Sequence, residues 1–101
     1  MKRLVISEAA RADLGRIASF TSREWGERQR ARYLSAIRRR LAELQRRPEL
    51  GRPRDEVAAG YRSILAGRHV IFYVLSVDAV EVLRVLHDSM DVHSHMPPGQ
   101  G

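Results

Sequence analysis

The side chains best suited to reaction chemistry are Arg62, Arg68, Arg84 and His87, all in the second half of a 101-residue chain. Together they are the parts of a metal-free RNA-cleaving site, in which guanidiniums neutralise the scissile phosphate while the imidazole moves protons. The competing reading is structural. Arg62 and Arg84 would then form ion pairs on a sheet, with Glu81 or Asp91 as their acids, and His87 would sit half-buried at a strand end. A second group, Asp88, Asp91, His93 and His95, has metal-ligand residue types. A chain terminus fixes no geometry for them, and they read as an exposed polar tail. Ser7, Ser63 and Ser89 lack an organised base in the local sequence. There is no phosphate-binding glycine motif and no cysteine, and neither a metal nor a cofactor is expected.

Positioning those residues takes a sheet, and the sequence supplies its strands. Leu4–Ile6 is a short apolar strand beginning near Lys2. Ser7 follows as an N-cap, with Glu8 placed for the positive end of a helix dipole. Ala10, Leu14, Ile17 and Thr21, with Ala18 and Trp25 beside them, recur at spacings of three and four and predict a helix over about 8–24. Gly15 weakens that helix unless a close helix approach explains it, and Gly26 should end it in a left-handed conformation. A second helix runs from Glu27 to Arg47, where Pro48 stops it. Its buried stripe is Leu34, Ile37, Leu41 and Leu44, and Arg28, Arg32, Arg39 and Arg46 form a ridge on the opposite side.

Residues 48–60 hold Pro48, Gly51, Pro53 and Gly60 and read as a loop within one domain, with one extra turn at Val57 and Ala58. Tyr61–Leu65 is a strand turning at Ala66-Gly67. Arg68–Leu75 follows, apolar on both faces and so expected at the sheet centre. After a turn at Ser76–Asp78, Val80–His87 is the last strand. Its two faces would be Val80, Val82, Arg84 and Leu86, and Glu81, Leu83, Val85 and His87. The element order β-α-α-β-β-β predicts an α+β fold with a helical hairpin on one face of a small, mainly antiparallel sheet. Residues 1–96 form the one domain and 97–101 a flexible tail. The other sheet face is left for the C-terminal segment or a partner to cover.

Charge is uneven. Residues 23–54 carry eleven arginines against four glutamates, whereas residues 55–101 carry three arginines against six acids. Seventeen of the eighteen basic residues are arginine. Such a field attracts nucleic acid or an acidic polypeptide. Only three apolar residues separate the basic start from Ser7, too few for a secretory leader, and no run approaches a membrane span. A soluble, cytoplasmic chain is expected. A chain this short buries only about 60–65% of its unfolded surface, so a partner that covers apolar area would contribute materially to stability.

Several segments, in order and spacing, resemble the toxins of the RelE/ParE superfamily, and the ParE branch in particular. They are Ala10, Asp13, Leu14 and Ile17 as A-x-x-DL-x-x-I; Pro48-Glu49-Leu50-Gly51-Arg52; Gly60-Tyr61-Arg62; His69-Val70-Ile71-Phe72-Tyr73; and Arg84-Val85-Leu86-His87 with Met90-Asp91. The likeness runs from Leu4 to about Met96. It implies the same β-α-α-β-β-β fold and the toxin half of a type II toxin–antitoxin system. A ParD-like antitoxin would fold onto the toxin in a heterotetramer or larger assembly. Its contacts would be Leu14, Ile17, Trp25, Arg28, Arg32, Tyr33, Arg39, Arg62 and Tyr73. The implied target is DNA gyrase, blocked by binding, with direct nucleic-acid contact secondary. The segment without a period, through His87, Asp88, Met90, Asp91, His93, His95 and Met96, would meet that target. The sister RelE branch, which cuts mRNA on the ribosome, is the alternative, with Arg62, Arg68, Arg84 and His87 as its catalytic set. The chain departs from that branch in having no lysine in the second helix and no aromatic residue after Tyr73.

Overall fold

The computed structural model describes residues 1–96. The chain runs β1 (Arg3–Ile6), α1 (Glu8–Trp25), α2 (Glu27–Arg46), a 3-10 turn (Pro48–Leu50), β2 (Arg52–Pro53), β3 (Arg62–Ala66), β4 (His69–Leu75), β5 (Ala79–His87) and α3 (Val92–His95). The sheet order is β1-β5-β4-β3-β2, with β1 parallel to β5 and every other pairing antiparallel. The doubly apolar strand β4 is the middle of five, as its composition requires. The expected tail, 97–101, lies outside the described residues.

Ser7 caps α1 as its position predicts, its hydroxyl accepting the Ala10 N–H at 3.0 Å. Gly26 ends α1 and starts α2 on its own. Its N–H donates to the Ser22 carbonyl and its carbonyl accepts from the Arg30 N–H, each at 3.0 Å. Its φ of +89° requires glycine, but its ψ of 170° is extended, so the predicted left-handed helical cap is not what forms. The single-residue link folds α1 and α2 into a tight hairpin.

The core lies between that hairpin and one sheet face. Ala10 and Ile17 of α1 and Ile37, Leu41 and Leu44 of α2 meet Ile71, Tyr73, Val80, Val82 and Val85. Each large aliphatic side chain buried there contributes about 1.5–3 kcal/mol. Tyr73 is fully buried at the centre, yet its hydroxyl is satisfied: it accepts the Gly51 N–H at 2.9 Å and donates to the Pro48 carbonyl at 2.8 Å. This explains the Pro48–Arg52 motif. A Cβ on Gly51 would lie 2.8 Å from the Ser63 carbonyl oxygen, so only glycine lets the backbone approach. Lys2 closes the opposite edge, its ammonium donating to the Ser76 and Val77 carbonyls at 2.8 and 2.9 Å.

Three strand expectations need correction. The 48–60 segment contains β2, two residues long and too short to show a period, paired through Arg52↔Ser63 and Pro53↔Arg62. β3 is displaced by one residue, so Ala66 is strand and the turn falls at Gly67-Arg68. β5 does not alternate along its whole length. Tyr73 pairs with Val82 but Phe72 pairs with Arg84, leaving Leu83 as a bulge. The extra residue puts Val85 on the core face with Val80 and Val82, and turns Leu86 to the other face. That second face is partly covered. The Arg54 guanidinium lies 5.2 Å from the Phe72 ring centroid, and Phe72 and Leu86 are buried. Among the described residues, no helix is long and apolar enough to cross a membrane.

Candidate functional site

β1 stops at Ile6 while β5 continues to His87, so the outer edge of β5 needs new partners beyond Val82. α1 provides them. The Ser7 N–H donates to the Val82 carbonyl at 3.0 Å, and its hydroxyl to the Leu83 carbonyl at 2.8 Å. Two turns along, Asp13 takes over. Its Oδ2 accepts the Val85 N–H at 2.9 Å and Arg84 Nε at 2.8 Å, while Oδ1 accepts Arg84 Nη2 at 2.8 Å and Arg16 Nη2 at 2.7 Å. Asp13 is 4% exposed. Burial alone would raise its pKa, but the donors from Arg84, Val85 and Arg16 outweigh it and hold the carboxyl below its usual range. Hydrogen bonding to Asp13 in turn raises the Arg84 pKa. The third side of Arg84 is used as well, its Nη1 donating to the His95 carbonyl of α3. One arginine therefore ties α1, β5 and the C-terminal helix together.

Beside it stands a column of rings. Tyr33 of α2 meets His69 edge-on at 5.5 Å between centroids, and His69 meets His87, its cross-strand partner, at 5.3 Å. The Tyr33 hydroxyl accepts the Arg68 N–H at 2.8 Å and is hydrogen-bonded to His69 Nδ1, 2.7 Å away. Burial, and then the neighbouring His87, lower the His69 pKa.

These groups line a concavity of about 460 Å³ between the second half of α1, the end of β5 and the C-terminal segment. Ile17, Phe20, Thr21, Val85, Leu86 and Met90 give it apolar walls; Arg16, Asp13, Arg84, His69, His87 and His95 give it polar ones. Phe20 is 54% exposed and Met90 48%. Of the residues expected at a target surface, His87, Met90 and His95 are brought here. Asp88 pairs with Arg68 at 3.0 Å. Asp91 caps α3, accepting the His93 N–H and the Ser94 hydroxyl. His93 is exposed and Met96 half-buried. This segment is thus an ordered turn and helix rather than the irregular tail its sequence suggested.

The RNA-cleaving set is brought together only in part, His87 and Arg68 both contacting Asp88. Arg84 and His87 share the concavity. Arg62 points its Nη1 at the Gly51 carbonyl, 2.7 Å away, two strands from β5. Arg68 is on the hairpin turn with Asp88. The ion-pair reading was right about Arg84 but not about its acid, which is Asp13 rather than Glu81 or Asp91.

A second concavity, about 540 Å³, runs between β1 and the helical hairpin. Its lining is Leu4, Ile6, Leu14, Gly15, Leu34, Ile37, Leu41 and Ala42, with Arg38 and Gln45. It follows β1, whose outer edge has no strand partner among the described residues. Gly15 opens into it: a Cβ there would meet nothing within 4 Å, so the predicted close helix approach is absent. Among the residues expected to face an antitoxin, Leu14 lines this groove. Trp25 is 71% exposed at the far end of the hairpin, and the α1 stripe does not extend to it. Arg28, Arg32 and Arg39 lie on the outside of α2. Tyr33 belongs to the ring column, and Ile17 is buried. Tyr73 is part of the core and has no surface to offer a partner. Sequence reasoning missed Leu4, Ile6, Leu34, Arg38 and Gln45. The signal was an apolar edge strand, together with a glycine on a helix face that nothing packs against.

The chain and its fold belong to a recognisable group. The family described as "ParE toxin of type II toxin-antitoxin system, parDE" matches residues 4–92. Toxin ParE1 of Caulobacter vibrioides is 36% identical over 96 residues, covering 95% of this chain and 99% of its own. Toxin ParE1 of Mycobacterium tuberculosis is 37% identical over 95 residues, covering 93% and 97%. A solved structure titled "Chromosomal ParDE TA system from P. aeruginosa" superposes with a TM-score of 0.75 at 19% identity, over 86% of this chain and 96% of that one. On the extent of these matches, the chain belongs to the ParE toxin family of type II toxin–antitoxin systems.

Proposed function

We propose that this ParE-family toxin is held inactive by a ParD-like antitoxin seated in the groove between β1 and the hairpin, and that it blocks DNA gyrase through the concavity around Arg84, His87 and Met90. The observation that carries the first half is the groove itself. It is apolar, about 540 Å³ in volume, and it runs beside an unpaired strand edge. A segment that folds on binding would gain both apolar burial and strand hydrogen bonds there. Arg38 on the rim suits the acidic side chains of such a segment. The complex is hetero-oligomeric, a heterotetramer or larger, and cytoplasmic like its target.

Gyrase is preferred to mRNA because Arg62 lies two strands from β5, on the Gly51 carbonyl, and Arg68 and Arg84 are each paired with a carboxylate. A toxin that acts by binding needs a shaped surface rather than a catalytic set. A supercoiling assay with purified gyrase tests this. Inhibition should rise with toxin and be reversed by antitoxin; full supercoiling at saturating toxin would sink the gyrase assignment. Calorimetric titration with the antitoxin tests the groove separately.

A further inference from the structure

Eight arginines lie on α2 and at its C-cap, Arg47, and they divide three ways, Arg38 lining the groove beside β1. Arg30, Arg40 and Arg47 each pair with a glutamate of the same helix, Glu27 or Glu43. Arg28, Arg32, Arg39, and Arg46 are exposed and form neither an ion pair nor a side-chain hydrogen bond with any described residue. At about 100° per residue these four fall within a sector of about 40°. They make one line, about 27 Å long at 1.5 Å rise per residue. Like charges at helical spacing repel, so the line costs folding stability and returns none.

The ridge does not fit a protein partner well. Its flanks on the helix itself, Gln29, Ser35, Ala36 and Ala42, carry no large apolar side chain, and the exposed Leu65 of β3 adjoins the row only at Arg39. The acids of the same helix are already occupied, Glu27 by Arg30 and Glu43 by Arg40 and Arg47. A straight row of unpaired guanidiniums along one helix face matches the requirement for phosphate-backbone contact, where affinity comes from neutralised phosphates. Its length spans about eight base pairs at 3.4 Å each.

We propose that Arg28, Arg32, Arg39 and Arg46 form a sequence-independent contact for the backbone of duplex nucleic acid. This surface is distinct from the groove and from the concavity around Arg84, so it stands or falls apart from the partners assigned to them. Neutralising four phosphates gives a log–log salt slope of about −3.6, a loss of about 150-fold in affinity between 50 and 200 mM salt.

The test is fluorescence anisotropy of a labelled, mixed-sequence 20-base-pair DNA duplex against the full chain. Wild type should bind with that slope. Replacing all four ridge arginines by glutamine should remove nearly all of it. A charge-matched control, with exposed Arg3, Arg11, Arg23 and Arg52 replaced instead, should keep most of it. If the quadruple variant does not fold, R28Q/R32Q and R39Q/R46Q should each remove about half the slope. Three results would overturn the proposal: no salt-dependent binding by wild type, equal losses in ridge and control variants, or competition by poly-glutamate as effective as by unlabelled duplex.

Discussion

The two concavities are near equals in size but opposite in construction. The groove beside β1 is a shape: aliphatic walls, a glycine left open, and a bare strand edge. The concavity at the end of β5 is an electrostatic assembly. Its form depends on one buried carboxylate that satisfies a strand edge, an arginine and, through that arginine, the C-terminal helix. A surface of the first kind is recognised by whatever fills it and tolerates small changes in its lining. A surface of the second kind is rigid only while its charges remain paired, because an uncompensated buried charge is among the most costly defects a fold can carry.

The largest expected effect is at Asp13. Asp13→Ala strands Arg84 and the Val85 N–H and should cost about 3–5 kcal/mol in denaturant unfolding. The pH dependence follows from the same carboxylate. Its folded pKa is lowered, so its contribution is fully present above the unfolded value of about 3.9 and is lost as pH falls through the lower folded value. Wild type should therefore lose stability in that acid range, and the variant should show less of this loss. A cost under 1 kcal/mol would mean that the concavity does not depend on its buried charge.

Next is the groove. Gly15→Phe should block it and weaken antitoxin binding by about 100-fold or more, the scale of an interface hot spot. Gyrase inhibition should persist. Phe20→Ala with Met90→Ala should do the reverse, relieving inhibition while antitoxin affinity stays within about threefold, since 1.4 kcal/mol is needed for each tenfold. If both variants affect both readouts, the two surfaces are one.

Smaller again is the ring column. Tyr33→Phe removes a hydroxyl bonded to Arg68 and His69 and should cost about 1 kcal/mol. The His69 pKa is lowered, so its contribution is full above about pH 6.5 and is lost as pH falls through the lower folded value. The melting temperature of wild type should fall over that range, and His69→Gln should flatten the fall. The smallest effect is a gain: Gly15→Ala should stabilise the free chain by about 0.5–1 kcal/mol, measured by the same unfolding curves.

Much of this architecture is visible in the sequence, and what is hidden has physical causes. The helices and the three long strands are legible because Ile37, Leu41 and Leu44 keep a helical period and β4 is apolar on both faces. β2 is hidden because two residues have no period. The bulge at Leu83 is hidden because Val80–Leu86 is apolar enough to satisfy either alternation. Asp13 stood in plain view, a lone acid amid the Ala10, Leu14 and Ile17 stripe. Such a residue on a buried face needs a partner, but that partner, Arg84, is 71 positions away. The histidine-rich end misled for a related reason. Its order comes from the Asp91 cap together with Arg84 holding the His95 carbonyl, and the second contact has no local signature.

The parallel pairing of β1 with β5 bears on how the molecule comes into being on the ribosome. Every residue lining the groove lies within the first 45, yet Leu4 and Ile6 have no strand to lie against until residues 79–82 have emerged. The concavity around Arg84 waits for the same strand. Both surfaces therefore wait on one event, the docking of β5 between β1 and β4. At no stage of synthesis does the chain possess the surface assigned to its target without the surface assigned to its restraint.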